Sequence, residues 1–306
     1  MASEFIPGLE GNTNKRGEIA CDIDNICSIN FTPNSQTNEI ERRDILDFGD
    51  EGFLLYGVLS DQESKSIIEE GEKIGFARLR GANDNYRNQQ RITVDSTELA
   101  KILWKRVKDY IKPVEFLENE DPKQQHIHGV PFLLKGKWSP TGFNNIFRLC
   151  RYCPDGHFSP HYDGFYMKNS SERSMKTFMI YLNNDFEDGS TNFVNEAQTL
   201  FKDKEGKYCA QDENILNRIR PHPGMAIAFN HHRLHEGQQV KNGTKYILRT
   251  DIMYEKCEGD YLTENQEKGL QLIQEAERLE AMGECMKAAG FYRKAFKMAP
   301  DLENRY

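Results

Sequence analysis

The sequence predicts an α+β fold, on three observations. Short alternating segments separated by turns run from about 143 to 254, as in FNNIFRLCRY, MKTFMIYLN, GSTNFV, GMAIAFN and KYILRTDIMY. Two segments with helical spacing precede them, and the last 45 residues return to helical spacing. Many short strands at regular turn intervals imply a sandwich, a barrel or a jelly roll, because each such strand buries one face only.

Taken in order, residues 1–48 are rich in Asn, Ser, Thr, Glu and Asp and lack periodicity, so a loose polar arm, partly disordered, is expected. Phe53, Leu54, Leu55, Val58 and Leu59 read as a short strand. Ser60 followed three residues later by Glu63 is a capping box, and Ile67, Ile68, Gly71 and Ile74 continue a helix from it. Residues 78–93 are polar and rich in Gly and Asn, and a surface loop is expected there, with Arg78, Arg80, Arg87 and Arg91 able to close over a substrate or simply to face water. A second helix starts near Ser96, with Leu99, Leu103, Val107 and Tyr110 at spacings of four, four and three. The charged stretch 199–220 reads as an insertion between strands.

At the C-terminal end, Ala276, Leu279, Gly283, Ala288, Tyr292, Ala295 and Pro300 have the spacing of one tetratricopeptide repeat; any amphipathic helical hairpin is the alternative. Pro300 ends the second helix, since it lacks the backbone donor needed to continue it. A solitary repeat buries its own face poorly, so it should dock on the main body or on a partner protein. The expected division is an arm over 1–48, a strand-rich body over 49–257 with its core at 143–254, and a hairpin over 262–302.

A chain of 306 residues with 38% hydrophobic content, 18 Phe and 13 Tyr can bury a substantial core. A net charge of -8 does not attract a phosphate backbone, so no nucleic-acid partner is expected. The N-terminus lacks a cationic start followed by an apolar run, and no stretch reaches the roughly 20 apolar residues of a membrane span. The seven cysteines are odd in number and scattered, which suits reduced thiols. A cytoplasmic location, with the nucleus as the other option, and no membrane partner are the expectations.

The chemistry concentrates in RYCPDGHFSPHYDGFY and FNHHRLHEGQQV. On an extended segment residues two apart share a face, so His161 and Asp163 can reach one metal ion together. His235 lies 72 residues beyond Asp163, after further predicted strands. Two histidines and one carboxylate on one side of a metal form the facial triad of non-haem iron(II), with the other positions open. Lys245 opens a strand ten residues after His235, and Lys245, Ile247, Arg249 and Asp251 share one face by period two. A buried lysine needs an anionic partner, and a cosubstrate that chelates iron at one end and carries a carboxylate at the other would be one. On residue pattern alone, an exposed edge-strand lysine is the simpler reading.

The stretch from about 52 to 254 resembles the prolyl 4-hydroxylase-type branch of the 2-oxoglutarate/iron(II) oxygenases. The matching features, in order, are RLCRYCPDGHFSPHYD, FMIYLN, GSTNF, PHPGMAIAFNHHRLHEG and VKNGTKYILRTD. The resemblance implies a double-stranded β-helix, or jelly roll, with flanking helices. It implies iron(II) held by His161, Asp163 and His235, and Lys245 on the distal carboxylate of 2-oxoglutarate. It further suggests Tyr181 on that carboxylate, Tyr152 facing the cosubstrate, and Thr191 and Arg249 on the pocket wall. O2 would be the oxidant and ascorbate a supporting reductant. The reaction implied is hydroxylation of a C–H bond with conversion of 2-oxoglutarate to succinate and CO2. The favoured substrate is a prolyl or other residue of an intracellular protein. The same chemistry on a free amino acid or other small molecule is the alternative, and a silent scaffold binding a protein partner through the C-terminal repeat is a third reading. Without the resemblance, core packing is the simpler account of Tyr152 and Tyr181.

Three other motifs are weaker. Cys150 and Cys153 form a C-x-x-C in a strand, where residues three apart face opposite sides, so structural thiols are expected. His126-x-His128 lies in a polar stretch without a third ligand in register. His231 and His232 crowd His235, which is preferred because its step to Lys245 matches the family.

Overall fold

The structure, a computed structural model, describes residues 26–33, 39–78, 84–116, 134–197, 201–259, 261–281 and 285–305. His126, His128, Arg80 and Gly283 lie outside the described residues. The principal strands are β1 (Ile26–Cys27), β2 (Glu41–Leu46), β3 (Gly52–Tyr56), β4 (Arg87–Asn88), β5 (Gln90–Asp95), β6 (Gly136–Phe143), β7 (Ile146–Tyr152), β8 (His157–His161), β9 (Met167–Asn169), β10 (Glu172–Tyr181), β11 (Thr191–Val194), β12 (Ile215–Ile219), β13 (Ala226–Asn230), β14 (His235–Gly237) and β15 (Lys245–Glu258). The helices are α1 (Asp61–Ile74), α2 (Thr97–Val107), α3 (Glu264–Ala281) and α4 (Cys285–Met298).

The strands form two sheets. The major one runs β1-β5-β7-β15-β10-β13-β3-β2, with β6 added to β15 and β9 to β10; the minor one runs β12-β11-β14-β8-β4. Alternation along each strand sorts the side chains into two layers. Phe147, Leu149, Phe178, Ile180 and Leu248 join Ile67, Leu99, Leu103 and Val107 in the layer between the major sheet and the helices α1 and α2. Cys150, Tyr152, Met179, Tyr181 and Ile247 turn the other way and meet Phe193 and Ile219 of the minor sheet. The result is a double-stranded β-helix with helices covering one face, as the family resemblance implies.

The helices start where their caps dictate. The Ser60 hydroxyl accepts from Glu63 N at 3.1 Å, and Glu63 Oε2 accepts from Ser60 N at 2.8 Å. Ser96 accepts from Leu99 N in the same manner at 3.1 Å. Gly71 sits mid-helix because a Cβ there would stand 2.5 Å from Leu149 Cδ2 of the major sheet. Arg106 of α2 donates to both oxygens of Glu63 at 2.7 and 3.0 Å, so one buried carboxylate caps α1 and pins α2 to it. The second helix ends at Val107, and Tyr110 falls in a following turn instead of the helix proper.

Three boundaries differ from the sequence expectations. Among the arm's described residues, β2 forms an edge of the major sheet and β1 pairs with β5. The supposed loop at 78–93 contains β4 and β5, and β5 pairs with β7 over six positions. Its composition misled because only Ile92 and Val94 face the helices, while Arg91 and Thr93 face the polar interior between the sheets. The insertion at 199–220 also supplies a sheet strand, β12, which pairs with β11.

Helices α3 and α4 and the segment that follows α4 pack together through Leu270, Ile273, Ala295, Ala299 and Leu302, with Met167 of β9 beside them. Ser170 N donates to Glu267 Oε1 at 3.2 Å, a second link to the main body. Gly269 permits the close approach: a Cβ there would meet Leu302 Cδ1 at 2.7 Å. Met298 is the last helical residue and Pro300 opens a separate turn. Among the described residues no helix is long and apolar enough to cross a membrane.

Candidate functional site

His161 and His235 stand directly opposite each other on the paired strands β8 and β14. Asp163 lies two residues past His161, where the chain leaves the sheet, and its N–H donates to His231 O at 2.9 Å. One ligand atom from each of His161, Asp163 and His235 falls within 4.8 Å of the other two, and all three residues are buried. His161 Nε2 is 3.7 Å from Asp163 Oδ1, and His235 Nε2 is 3.7 Å from Asp163 Oδ2.

Each imidazole is oriented from behind. His161 Nδ1 meets Ser159 O at 2.7 Å and His235 Nδ1 meets Arg233 O at 2.8 Å. A carbonyl oxygen only accepts, so Nδ1 carries the proton in both rings and Nε2 turns its lone pair to the cluster. Burial holds both histidines below their usual range, with mutual repulsion adding to the effect at His161. Neutral rings are the form a metal requires. Burial alone would raise the Asp163 carboxyl; Arg249, the two histidines and Thr177 outweigh it and keep it ionised, well below the carboxylate range.

The carboxylate is fixed on both oxygens. Arg249 Nη2 reaches Asp163 Oδ1 at 3.0 Å, and Thr177 Oγ1 donates to Asp163 Oδ2 at 2.6 Å. Behind Thr177 stands His231. Because the Thr177 proton is committed to Asp163, His231 Nδ1 must donate to Thr177 Oγ1, at 3.0 Å. His231 Nε2 then accepts from Ser174 Oγ at 2.9 Å, and Ser174 Oγ accepts from Tyr166 N at 2.8 Å. His231 is thus a support for the site and not a third ligand; its position next to His235 in sequence gave no sign of this.

Lys245 is 3% exposed, at the start of β15 opposite Tyr152 of β7. Its Nζ donates to Gly189 O at 2.6 Å and lies 5.3 Å and 5.7 Å from the ring centres of Tyr152 and Tyr181. Burial lowers its pKa to about 7. Lys245, Tyr152, Thr191 and Arg249 all line the cavity that contains the histidines and Asp163. Tyr181 stands behind that lining, where its hydroxyl donates to Thr191 Oγ1 at 2.7 Å.

Sequence reasoning left several lining residues unassigned and named Arg87 only as one of four arginines able to close over a substrate. Arg148 of β7 is paired in register with Arg249 and lies 3.9 Å from Asp251. Arg87 of β4 stacks over Phe158, 4.3 Å from its ring centre, and Phe158 stacks on His161. Gln89 lies between Arg87 and Tyr152, and the amide orientation that satisfies both has its oxygen accepting from Arg87 Nε at 2.9 Å and its nitrogen meeting the tyrosine hydroxyl. Arg78, by contrast, is exposed and faces Asp84 at 3.6 Å, away from the cavity. Cys150 is buried and Cys153 exposed, both as free thiols.

Residues 147–250, which hold the whole cluster and Lys245, match the model of the 2OG-Fe(II) oxygenase superfamily. Over that stretch the chain is similar to the superfamily. Among solved structures the chain is similar to a viral collagen prolyl hydroxylase from Paramecium bursaria Chlorella virus-1 in complex with 2OG, at 20% identity and TM-score 0.42, over 68% of this chain and 97% of that one. It is also similar to a Pseudomonas putida prolyl-4-hydroxylase, at 14% identity and TM-score 0.41, over 71% and 98% of the two chains. A third is a Trichoplax adhaerens prolyl hydroxylase in complex with a hypoxia inducible factor peptide fragment, at 13% identity and TM-score 0.39, over 66% and 83%. No curated protein matches the chain.

The donor set suits the superfamily's metal. Two neutral imidazoles and one carboxylate converge from one side, leaving the cavity side open, which is the arrangement that iron(II) oxygenases use.

Proposed function

We propose that the protein is an iron(II)- and 2-oxoglutarate-dependent dioxygenase that hydroxylates a C–H bond. The observation that carries this is one continuous cavity containing the His161, Asp163 and His235 cluster at one place and the buried, carboxylate-free Lys245 at another. Bound iron(II) with 2-oxoglutarate supplies oxygen activation: one O2, one 2-oxoglutarate and one C–H give the alcohol, succinate and CO2.

The chain's own residues bind, orient and exclude water. Lys245 supplies the cation for the distal carboxylate of the cosubstrate, and Tyr152 and Ile247 wall that end. Thr177 and Arg249 hold Asp163 in one orientation. Phe229 packs against His235 at 4.6 Å and Phe158 against His161, which keeps water from the ligands' apolar sides.

A prolyl side chain of a protein is the substrate reading favoured by the motif order, with a free amino acid as the alternative and ascorbate as supporting reductant. Purified protein with iron(II), ascorbate and 2-oxoglutarate should form succinate slowly without substrate and faster with a proline-containing peptide. Absence of succinate under all these conditions would overturn the oxygenase reading. Succinate that responds to free amino acids and not to peptides would move the substrate to the small-molecule class.

A further inference from the structure

Charge balance in the cavity goes further than the cosubstrate. Lys245, Arg87, Arg148 and Arg249 all line it, while the carboxylates among them are Asp163 and, behind Arg148 and Arg249, Asp251. Glu236 also borders the cavity, held by the neutral donors Asn192 Nδ2 at 2.7 Å and Ala210 N at 3.0 Å, so the four cations still outnumber the carboxylates Asp163, Asp251 and Glu236. Arg249 is committed to Asp163 and sits 3.6 Å from Asp251. Among the described residues the one carboxylate within 4.0 Å of Arg148 is that same Asp251, at 3.9 Å, and 33% of the Arg148 side chain is exposed. Among the described residues no carboxylate lies within 4.0 Å of Arg87, whose contacts are the Phe158 face and Gln89.

A guanidinium keeps its charge at any physiological pH, and leaving one half-buried beside other cations is costly without an anion. The doubly negative cosubstrate does not settle this, because a divalent metal brings two further positive charges. Lys245 takes one end of the cosubstrate, and the surplus stays at the other side, on Arg87 and Arg148. Their location is also telling. Arg87 lies over Phe158, which lies on His161; Arg148 lies across from Arg249, which touches Asp163. An anion held there places the neighbouring carbon beside the metal ligands.

We propose that the substrate carries a carboxylate that Arg87 and Arg148 bind beside the His161–Asp163–His235 cluster, so that the oxidised C–H bond lies close to that carboxylate. The planar forks of two guanidiniums match a planar carboxylate, and the Phe158 and Phe229 walls suit a small organic framework attached to it. The carboxylate belongs either to a free amino acid or to an acidic or terminal residue of a peptide. This inference rests on the oxygenase reading above.

The test uses matched acid and amide probes on the full chain. Free amino acids are compared with their amides, and end-capped proline peptides containing aspartate or glutamate with the same peptides containing asparagine or glutamine. Succinate release is measured with iron(II) and 2-oxoglutarate, and probe binding is followed by ligand-observed NMR on zinc-loaded, turnover-silent protein. The acid member of a pair should stimulate and bind at least tenfold better than its amide. Arg87→Gln and Arg148→Gln should each reduce that preference at least tenfold, with Arg87→Lys restoring part of it. The responding arm, free amino acid or peptide, identifies the source. Equal responses to acid and amide, or no response to any acid, would overturn the inference. Succinate made without any probe reports on the oxygenase reading alone, so a failure of that reading appears as no basal succinate, while the NMR arm still tests carboxylate binding.

Discussion

Replacing Lys245 by methionine should weaken function and strengthen the fold at once. The lysine is 3% exposed, and burial lowers it from 10.5 to about 7. At about 1.4 kcal/mol for each tenfold in the proton equilibrium, accommodating the amine at pH 7 costs about 5 kcal/mol. Methionine keeps the length without the charge, but orphans the Gly189 carbonyl that now accepts at 2.6 Å. That loss is about 1–3 kcal/mol. The metal-free variant should therefore be more stable than the wild type by about 2–4 kcal/mol at pH 7. The sign of the pH dependence follows from the depressed value. Between pH 7 and 10.5 the unfolded chain binds more protons at this lysine than the folded one, so wild-type stability rises with pH across that window. The variant lacks this contribution, so its advantage should shrink from pH 7 to pH 10. Urea unfolding of both proteins at several pH values measures it. In the metal-loaded protein, 2-oxoglutarate affinity should fall on the order of 30-fold or more, the loss of a buried charge pair of about 2 kcal/mol or above. Unchanged affinity, or a variant less stable at every pH, would refute the reasoning.

Three further outcomes are expected. Thr177→Val removes the donor to Asp163 Oδ2 and the acceptor for His231 without changing shape, and should lower divalent-metal affinity about 10–100-fold in calorimetry; a change within twofold would show that the support behind Asp163 is dispensable. Glu63→Ala strands the buried Arg106 guanidinium and uncaps α1, costing about 3–5 kcal/mol in urea unfolding, whereas Glu63→Gln, which keeps an acceptor for Ser60 N, should cost less; equal costs would contradict the dual role of this carboxylate. Gly269→Leu overpacks the α3–α4 contact by about 1–3 kcal/mol and should raise hydrogen exchange across 264–298 while leaving succinate formation unchanged; lost turnover would tie the hairpin to catalysis.

The site was more legible in the sequence than its surroundings. His161-x-Asp163, His235 and the step to Lys245 are written in strand periodicity, and the structure brings them to one cavity. The capping box at Ser60 and the start of the second helix near Ser96 are local chemistry and were readable for that reason. The β5 strand was not read, although Ile92 and Val94 alternate, because the residues between them are polar and face a polar cavity that only the second sheet creates. Arg148 and His231 carry no pattern of their own, and Arg87 was one of four arginines in a polar stretch with nothing to set it apart. Their roles depend on pairings between residues distant in sequence, such as Ser174 with His231 and Arg148 with Asp251. Tyr181, which the family resemblance suggests for the cosubstrate carboxylate, has its hydroxyl donating to Thr191 Oγ1 of the cavity wall.

Equilibrium binding tests the central claim most directly. Calorimetric titration of metal-free protein under anaerobic conditions should show one iron(II) per chain, and 2-oxoglutarate should bind only after the metal. Both events should disappear in Asp163→Ala. Wild-type protein that binds neither ligand, or Asp163→Ala protein that binds both as well as the wild type, would contradict the account.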